Sequence, residues 1–123
     1  KEETNRSYLY GRLLAVADRI EYRTYDEKDK ARVTNAKRYM STFSQRPFET
    51  WKMIEENIQP YMYKLDFPER RFYENLLHEI NGLFDVDSFG DNSKLDGLYL
   101  LGFHHQAYEL TSKKTKFNEK EEE

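Results

Sequence analysis

The side chains able to do chemistry are few. Three histidines, His78, His104 and His105, are the only imidazoles in 123 residues, and there is no cysteine. His104 and His105 are adjacent, and neighbours on a helix point about 100° apart, so they are poor co-ligands for one metal ion. His78 has no obvious partner in sequence. All three read as packing or surface histidines. The missing thiols exclude disulfides, thiol catalysis and thiolate metal sites, and fit a reducing compartment. No glycine-rich phosphate loop, Gly-x-Ser-x-Gly or His-Glu-x-x-His occurs. Carboxylates are plentiful, but on charged helices they form solvated faces far more often than acid/base pairs. The expectation is a chain with no catalytic residue, no metal and no cofactor.

One stretch has metal-ligand spacing. Asp85, Asp87, Gly90 and Asp96 fall at the first, third, sixth and twelfth positions of a twelve-residue window flanked by apolar helices, as in an EF-hand. Phe89, however, fills the fifth position, where an oxygen ligand belongs. Asn92 replaces the usual apolar eighth residue, and Asp96 is shorter than the bidentate Glu of a calcium loop. The preferred reading is a polar loop whose Asp and Asn residues make turns, with Asp96 helping to cap the next helix.

The distribution of charge says more than its total. Twenty bases against 23 acids leave a net charge of -3. Yet no acid occurs between Asp29 and Glu49, while that interval holds Lys30, Arg32, Lys37, Arg38 and Arg46. Arg12, Arg19 and Arg23 lie at i, i+7 and i+11 on the first helix, one stripe beside its apolar face, with Asp18 and Glu21 expected to project elsewhere. Residues 51–123 carry 9 bases and 15 acids, so the basic character is confined to the first half. Tyr8, Tyr22, Tyr39 and Phe43 are interleaved with it. A basic patch with aromatics is the electrostatic footprint of a nucleic-acid-binding surface. The competing readings are a solvated face with ordinary ion pairs, or a patch that meets an acidic protein.

These residues must be positioned by helices. Glycine numbers 5 and proline 3, and apolar residues recur at three- and four-residue spacing, which predicts an all-α domain. The first helix is expected from about Asn5 to Tyr22 on Leu9, Leu13, Val16 and Ile20. The second should run from about Arg32 to Phe43, with Val33, Ala36, Met40 and Phe43 in line. Pro47 suits the start of a third, with Trp51, Ile54, Ile58, Met62 and Leu65 along it. Pro68 starts a fourth through Tyr73, Leu76, Leu77 and Ile80. A fifth, from about Lys94 to Leu110, carries Leu98, Tyr99, Leu100, Leu101 and Phe103 around most of its girth, and such a helix is buried in the domain or against a partner. Residues 4–112 are therefore expected to form a compact bundle of about five helices. Residues 113–123 should form an acidic, frayed tail. No apolar run reaches the roughly 18 residues of a membrane span, and no apolar signal segment follows Lys1.

Three segments together carry a resemblance. They are Tyr10-Gly11-Arg12-Leu13-Leu14-Ala15-Val16, then Asn35-Ala36-Lys37-Arg38-Tyr39 followed by Pro47, and Gly97-Leu98-Tyr99-Leu100-Leu101-Gly102-Phe103-His104-His105-Gln106. In order and spacing, over about residues 8–110, they resemble the C-terminal helical part of the large subunit of type I-C CRISPR Cascade. A free-standing chain of this length resembles that complex's small subunit, which in this subtype is made from an internal start within the large-subunit gene. The resemblance implies a non-catalytic, cytoplasmic helical bundle placed along the belly of an RNA-guided surveillance complex. Its partners would be the Cascade backbone and large subunits, a neighbouring copy of itself, guide RNA and target DNA. It would support the guide–target duplex and the displaced strand, with Arg12, Arg19, Arg23, Lys30, Arg32, Lys37, Arg38 and Arg46 as the candidate nucleic-acid contacts. A helical protein-interaction module that never touches nucleic acid, and a calcium-sensing single EF-hand, are the alternatives from other classes.

Overall fold

The computed structural model describes residues 4–112, so the expected acidic tail at 113–123 lies outside the described residues. Among the described residues seven α-helices follow in order: α1 (Arg6–Arg23), α2 (Asn35–Arg38), α3 (Met40–Gln45), α4 (Pro47–Asn57), α5 (Gln59–Lys64), α6 (Phe67–Asn81) and α7 (Leu98–Thr111). No strand occurs among the described residues.

The bundle is organised around α1. Asn5 starts it, its side-chain oxygen accepting from the Ser7 and Tyr8 amides at 2.9 and 3.2 Å. The expected stripe of Leu9, Leu13, Val16 and Ile20 is buried, but so are Tyr10, Leu14, Ala15 and Ala17. The helix that is covered on nearly every side is thus α1 rather than α7. Its main neighbour is α7, and the two backbones meet at a pair of glycines. A Cβ on Gly11 would overlap the Tyr99 carbonyl oxygen, and one on Gly102 would overlap the Tyr8 carbonyl oxygen. Glycine at both positions lets the main chains touch. On this inner side α7 buries Tyr99, Gly102, Phe103, Gln106 and Leu110, while Leu98 and Leu101 are only half-buried and Leu100 is exposed.

Two expected helices are broken, each for a local reason. The segment expected as one helix over 32–43 starts only at Asn35, because Thr34 caps it through the Lys37 amide, and it is interrupted at Tyr39. Val33, ahead of the cap, is exposed instead of lining the core. The helix expected to run from Pro47 to Leu65 divides at Ile58, since Pro60 has no N–H to continue the ladder and its ring crowds the preceding turn. Trp51, Ile54, Ile58, Met62 and Leu65 nonetheless reach the core, as does Ile80, while Leu76 and Leu77 pack at its edge. The centre of the core is aromatic. Tyr99 stacks on Phe43 at 5.7 Å, and Tyr10 contacts Phe43, Phe84 and Phe89.

The loop between α6 and α7 is fastened at several points. Asn92 Oδ1 accepts from the Phe48 and Glu49 amides and so caps α4. Arg6 donates to the Asp91 and Ser93 carbonyls, and the Tyr10 hydroxyl donates to the Phe89 carbonyl. Leu95 N donates to the Ser44 carbonyl, which holds this stretch against α3 and delays α7 to Leu98. Asp96 accepts from the Leu98 amide at 3.0 Å, in line with its expected place at the start of this helix.

Candidate nucleic-acid interface

The acid-free stretch is brought against the second half of α1 by one buried carboxylate. Glu21, expected to project away from the arginine stripe, is buried. It accepts from the Asn35 amide at 2.9 Å and from the Tyr25 hydroxyl. Burial, followed by the hydrogen bond to Glu21, raises the Tyr25 phenol well above its ordinary value. Asp18 accepts from the Thr34 hydroxyl at 2.5 Å. These contacts seat α2 on α1 and leave a groove of about 620 Å³ between α1, α2 and α7.

Arg19, Tyr22, Lys37, His104 and Tyr108 line this groove together with Asp18, the acid that holds Thr34. The Lys30 ammonium lies 4.3 Å from the Tyr22 ring centre and the Arg19 guanidinium 5.8 Å from it, so one ring carries two cations. Arg32 sits 5.5 Å from the Tyr25 ring and 3.8 Å from Asp29. Tyr108 is 76% exposed. Arg38 is exposed on α2 beside Lys37. Such a surface offers positive charge for phosphates and ring faces for bases, the two elements of strand binding.

The remaining candidates lie elsewhere. Arg12 faces a smaller groove of about 350 Å³ shared with Tyr8, His105 and Glu109, and donates to Gln106 at 2.7 Å. Arg23 makes a two-point ion pair with Glu69 on α6, at 2.5 and 2.9 Å, and this hydrogen bonding raises its pKa. Arg46 pairs in the same fashion with Glu49 at the start of α4, and that contact lowers the Glu49 carboxyl below its usual range. The arginine stripe of α1 therefore splits among three surroundings. Of the interleaved aromatics, Phe43 is wholly buried in the core, Tyr39 is half-buried against it and Tyr8 is held by His105 Nδ1 at 2.9 Å, which leaves Tyr22 in the groove. Tyr108 and His104 were not singled out from sequence as groove residues. Their signal is the i, i+4 spacing, which sets both on one face of α7, the face away from the buried Tyr99, Phe103 and Leu110.

Among the described residues no group of three or more His, Asp or Glu side chains is placed to hold a metal ion. Asp91 is engaged with Ser93, and Asp96 with the α7 start, as turn and cap residues. No described helix is long and apolar enough to cross a membrane.

The molecule is a compact all-α domain in which Arg19, Lys30 and Lys37 gather beside the C-terminal half of its central helix. The chain belongs to the CRISPR-associated protein family Cas_Csd1, whose model matches residues 1–111, and this makes it a type I-C, Cascade-type CRISPR protein. No individual curated protein matches it.

Proposed function

We propose that this chain is a non-catalytic small subunit of a type I-C Cascade, supporting the guide RNA–target DNA duplex and the displaced strand through a basic groove. The observation that carries the reading is Tyr22 flanked by Lys30 and Arg19 in a groove with Lys37. In RNA-guided recognition base pairing reads the sequence, and the protein supplies backbone contacts and holds the freed strand. That work needs cations and ring faces rather than an enclosed pocket. Its partners would be the backbone and large subunits, a neighbouring copy, guide RNA and target DNA, in the cytoplasm.

The test is target-DNA binding by complexes rebuilt with wild-type subunit or with Lys30→Ala/Lys37→Ala, across a salt series. Each phosphate contact on a single strand contributes a slope of about -0.7 to log K against log salt, so the double variant should flatten the slope by on the order of 1. It should weaken binding to all sequences alike. Unchanged affinity and slope, with the variant still incorporated, would favour a helical protein-interaction module. That second reading is supported by the exposed Leu100, which borders a shallow groove with Met40 and Leu95.

A further inference from the structure

A second set of cation-capped rings lies outside the acid-free stretch, at the turn between α5 and α6. Tyr63 and Phe67 are 70% and 62% exposed, large values for aromatic side chains in a domain whose other rings mostly fill the core. Each carries a guanidinium: Arg70 at 5.3 Å from the Tyr63 ring centre and Arg71 at 5.9 Å from that of Phe67. Lys64 lies 5.5 Å from the neighbouring Tyr61 ring. Arg70 is pre-set, since it also donates to the Met62 and Leu65 carbonyls at 3.3 and 3.1 Å. The two acids of this turn are occupied. Asp66 caps α6 through the Glu69 amide, and Glu69 is held by Arg23. Cations are therefore displayed here beside ring faces that no packing demand explains.

We propose that the α5–α6 turn is a stacking platform for single-stranded nucleic acid, with bases on Tyr63 and Phe67 and phosphates on Lys64, Arg70 and Arg71. The charge is complementary to a phosphate backbone, and an unpaired strand alone can offer both free base faces and phosphates. A paired duplex has its bases stacked on each other and can use only the cations. The platform adjoins the C-terminal end of α1, where Arg23 joins α6, so it extends the basic end already described. It rests on the reading of this chain as a nucleic-acid-contacting subunit, but it uses different residues and a different binding mode.

The experiment measures fluorescence anisotropy of the 123-residue chain at low salt. The probes are labelled oligothymidylate, an abasic strand of the same length, and a hairpin duplex with an equal phosphate count. Tyr63→Leu/Phe67→Leu keeps apolar bulk at exposed positions and removes the rings, and circular dichroism checks its fold. Base–ring stacking predicts that this variant loses about tenfold or more in affinity for oligothymidylate. Duplex binding should not change, and the abasic strand should bind the wild type as weakly as oligothymidylate binds the variant. Unchanged oligothymidylate affinity, equal binding of abasic and normal strands, or no strand binding by the wild type would overturn the platform. So would loss of a protein partner from the rebuilt complex with strand affinity intact. Lys30→Ala/Lys37→Ala run in parallel separates the two ideas. If only the groove variant weakens binding, the platform fails and the groove stands; if only the ring variant does, the groove fails.

Discussion

Arg23 and Glu69 show how one side chain can change meaning when its surroundings are known. On the helix-one stripe Arg23 reads as a phosphate contact. In the fold its side chain is 16% exposed and Glu69 is 7% exposed, with the Tyr73 hydroxyl also donating to Glu69 at 3.3 Å. Removing one partner of such a pair leaves an uncompensated charge in a poorly hydrated site. Arg23→Ala should therefore cost about 3 kcal/mol in urea unfolding, and Arg23→Met/Glu69→Gln should recover part of it. If Arg23→Ala is neutral, the pair is more hydrated than its geometry implies. Tyr73 adds a pH signature. Burial, with Glu69 next, pushes its phenol up to about 12 from an ordinary value of 10.0. Below pH 10 both folded and unfolded states hold this proton. As pH rises from 10 towards 12 the unfolded state releases it first, so stability falls through that window by up to about 3 kcal/mol. Tyr73→Phe should remove that share of the loss, which urea midpoints measured across the window would show. Tyr10 and Tyr99, also raised chiefly by burial, act in the same direction and leave a remainder.

At the scale of elements, the Gly11–Gly102 crossing is the most exacting contact. Both obstructing atoms belong to main chain, so neither can swing away. Gly11→Ala or Gly102→Ala should force α1 and α7 apart at a cost of about 3 kcal/mol, the upper part of the usual overpacking range. Gly97 has φ of -61° and open space around its Cα, so Gly97→Ala should be neutral or slightly stabilising. Thermal melts of the three variants check the contrast, and equal melts would mean that the helices do not cross so closely. The all-α class and the core positions on α1, α4 and α6 were legible from spacing, because a helical stripe must bury itself against something. Breaks were less legible. Periodicity runs straight through Pro60 and Thr34, and a missing donor or a capping hydroxyl outweighs it. The central place of α1 was hidden for another reason: Gly11, Ala15 and Ala17 contribute little to an apolar count, yet they allow neighbours to approach from every side. Of the candidate site, Lys30 and Lys37 were readable from the acid-free stretch and Arg19 from the stripe on the first helix. The pairing of Arg23 with a carboxylate was not, since Glu69 is 46 residues away and only the fold brings the two together, whereas Arg46 and Glu49 are an i, i+3 pair.

Taken whole, the molecule is an acidic protein with unequal ends. Arg19, Lys30 and Lys37 meet beside the C-terminal part of α1, whereas α4 carries Glu49, Glu55 and Glu56 against one lysine. Under the proposed function this cluster of cations would face a charged strand, and long-range fields steer such encounters over about a Debye length. What counts for that steering is charge left after local pairing. Arg46 and Glu49 cancel at contact distance, and both are exposed, so their pair adds little field and little stability. Lys37, by contrast, has no acid within its own stretch of sequence and opens on the groove. The two cations should therefore behave differently in the same assay. Lys37→Glu should slow association of the rebuilt complex with target DNA at low salt several-fold, with the difference shrinking as salt rises through about 0.15 M, where the Debye length is about 8 Å. Arg46→Ala/Glu49→Ala, which removes one charge of each sign, should leave both the rate and its salt dependence unchanged. Stopped-flow association across a salt series measures both. A slowing by Arg46→Ala/Glu49→Ala as large as that by Lys37→Glu would mean that the paired charges are not cancelled and still act on the encounter.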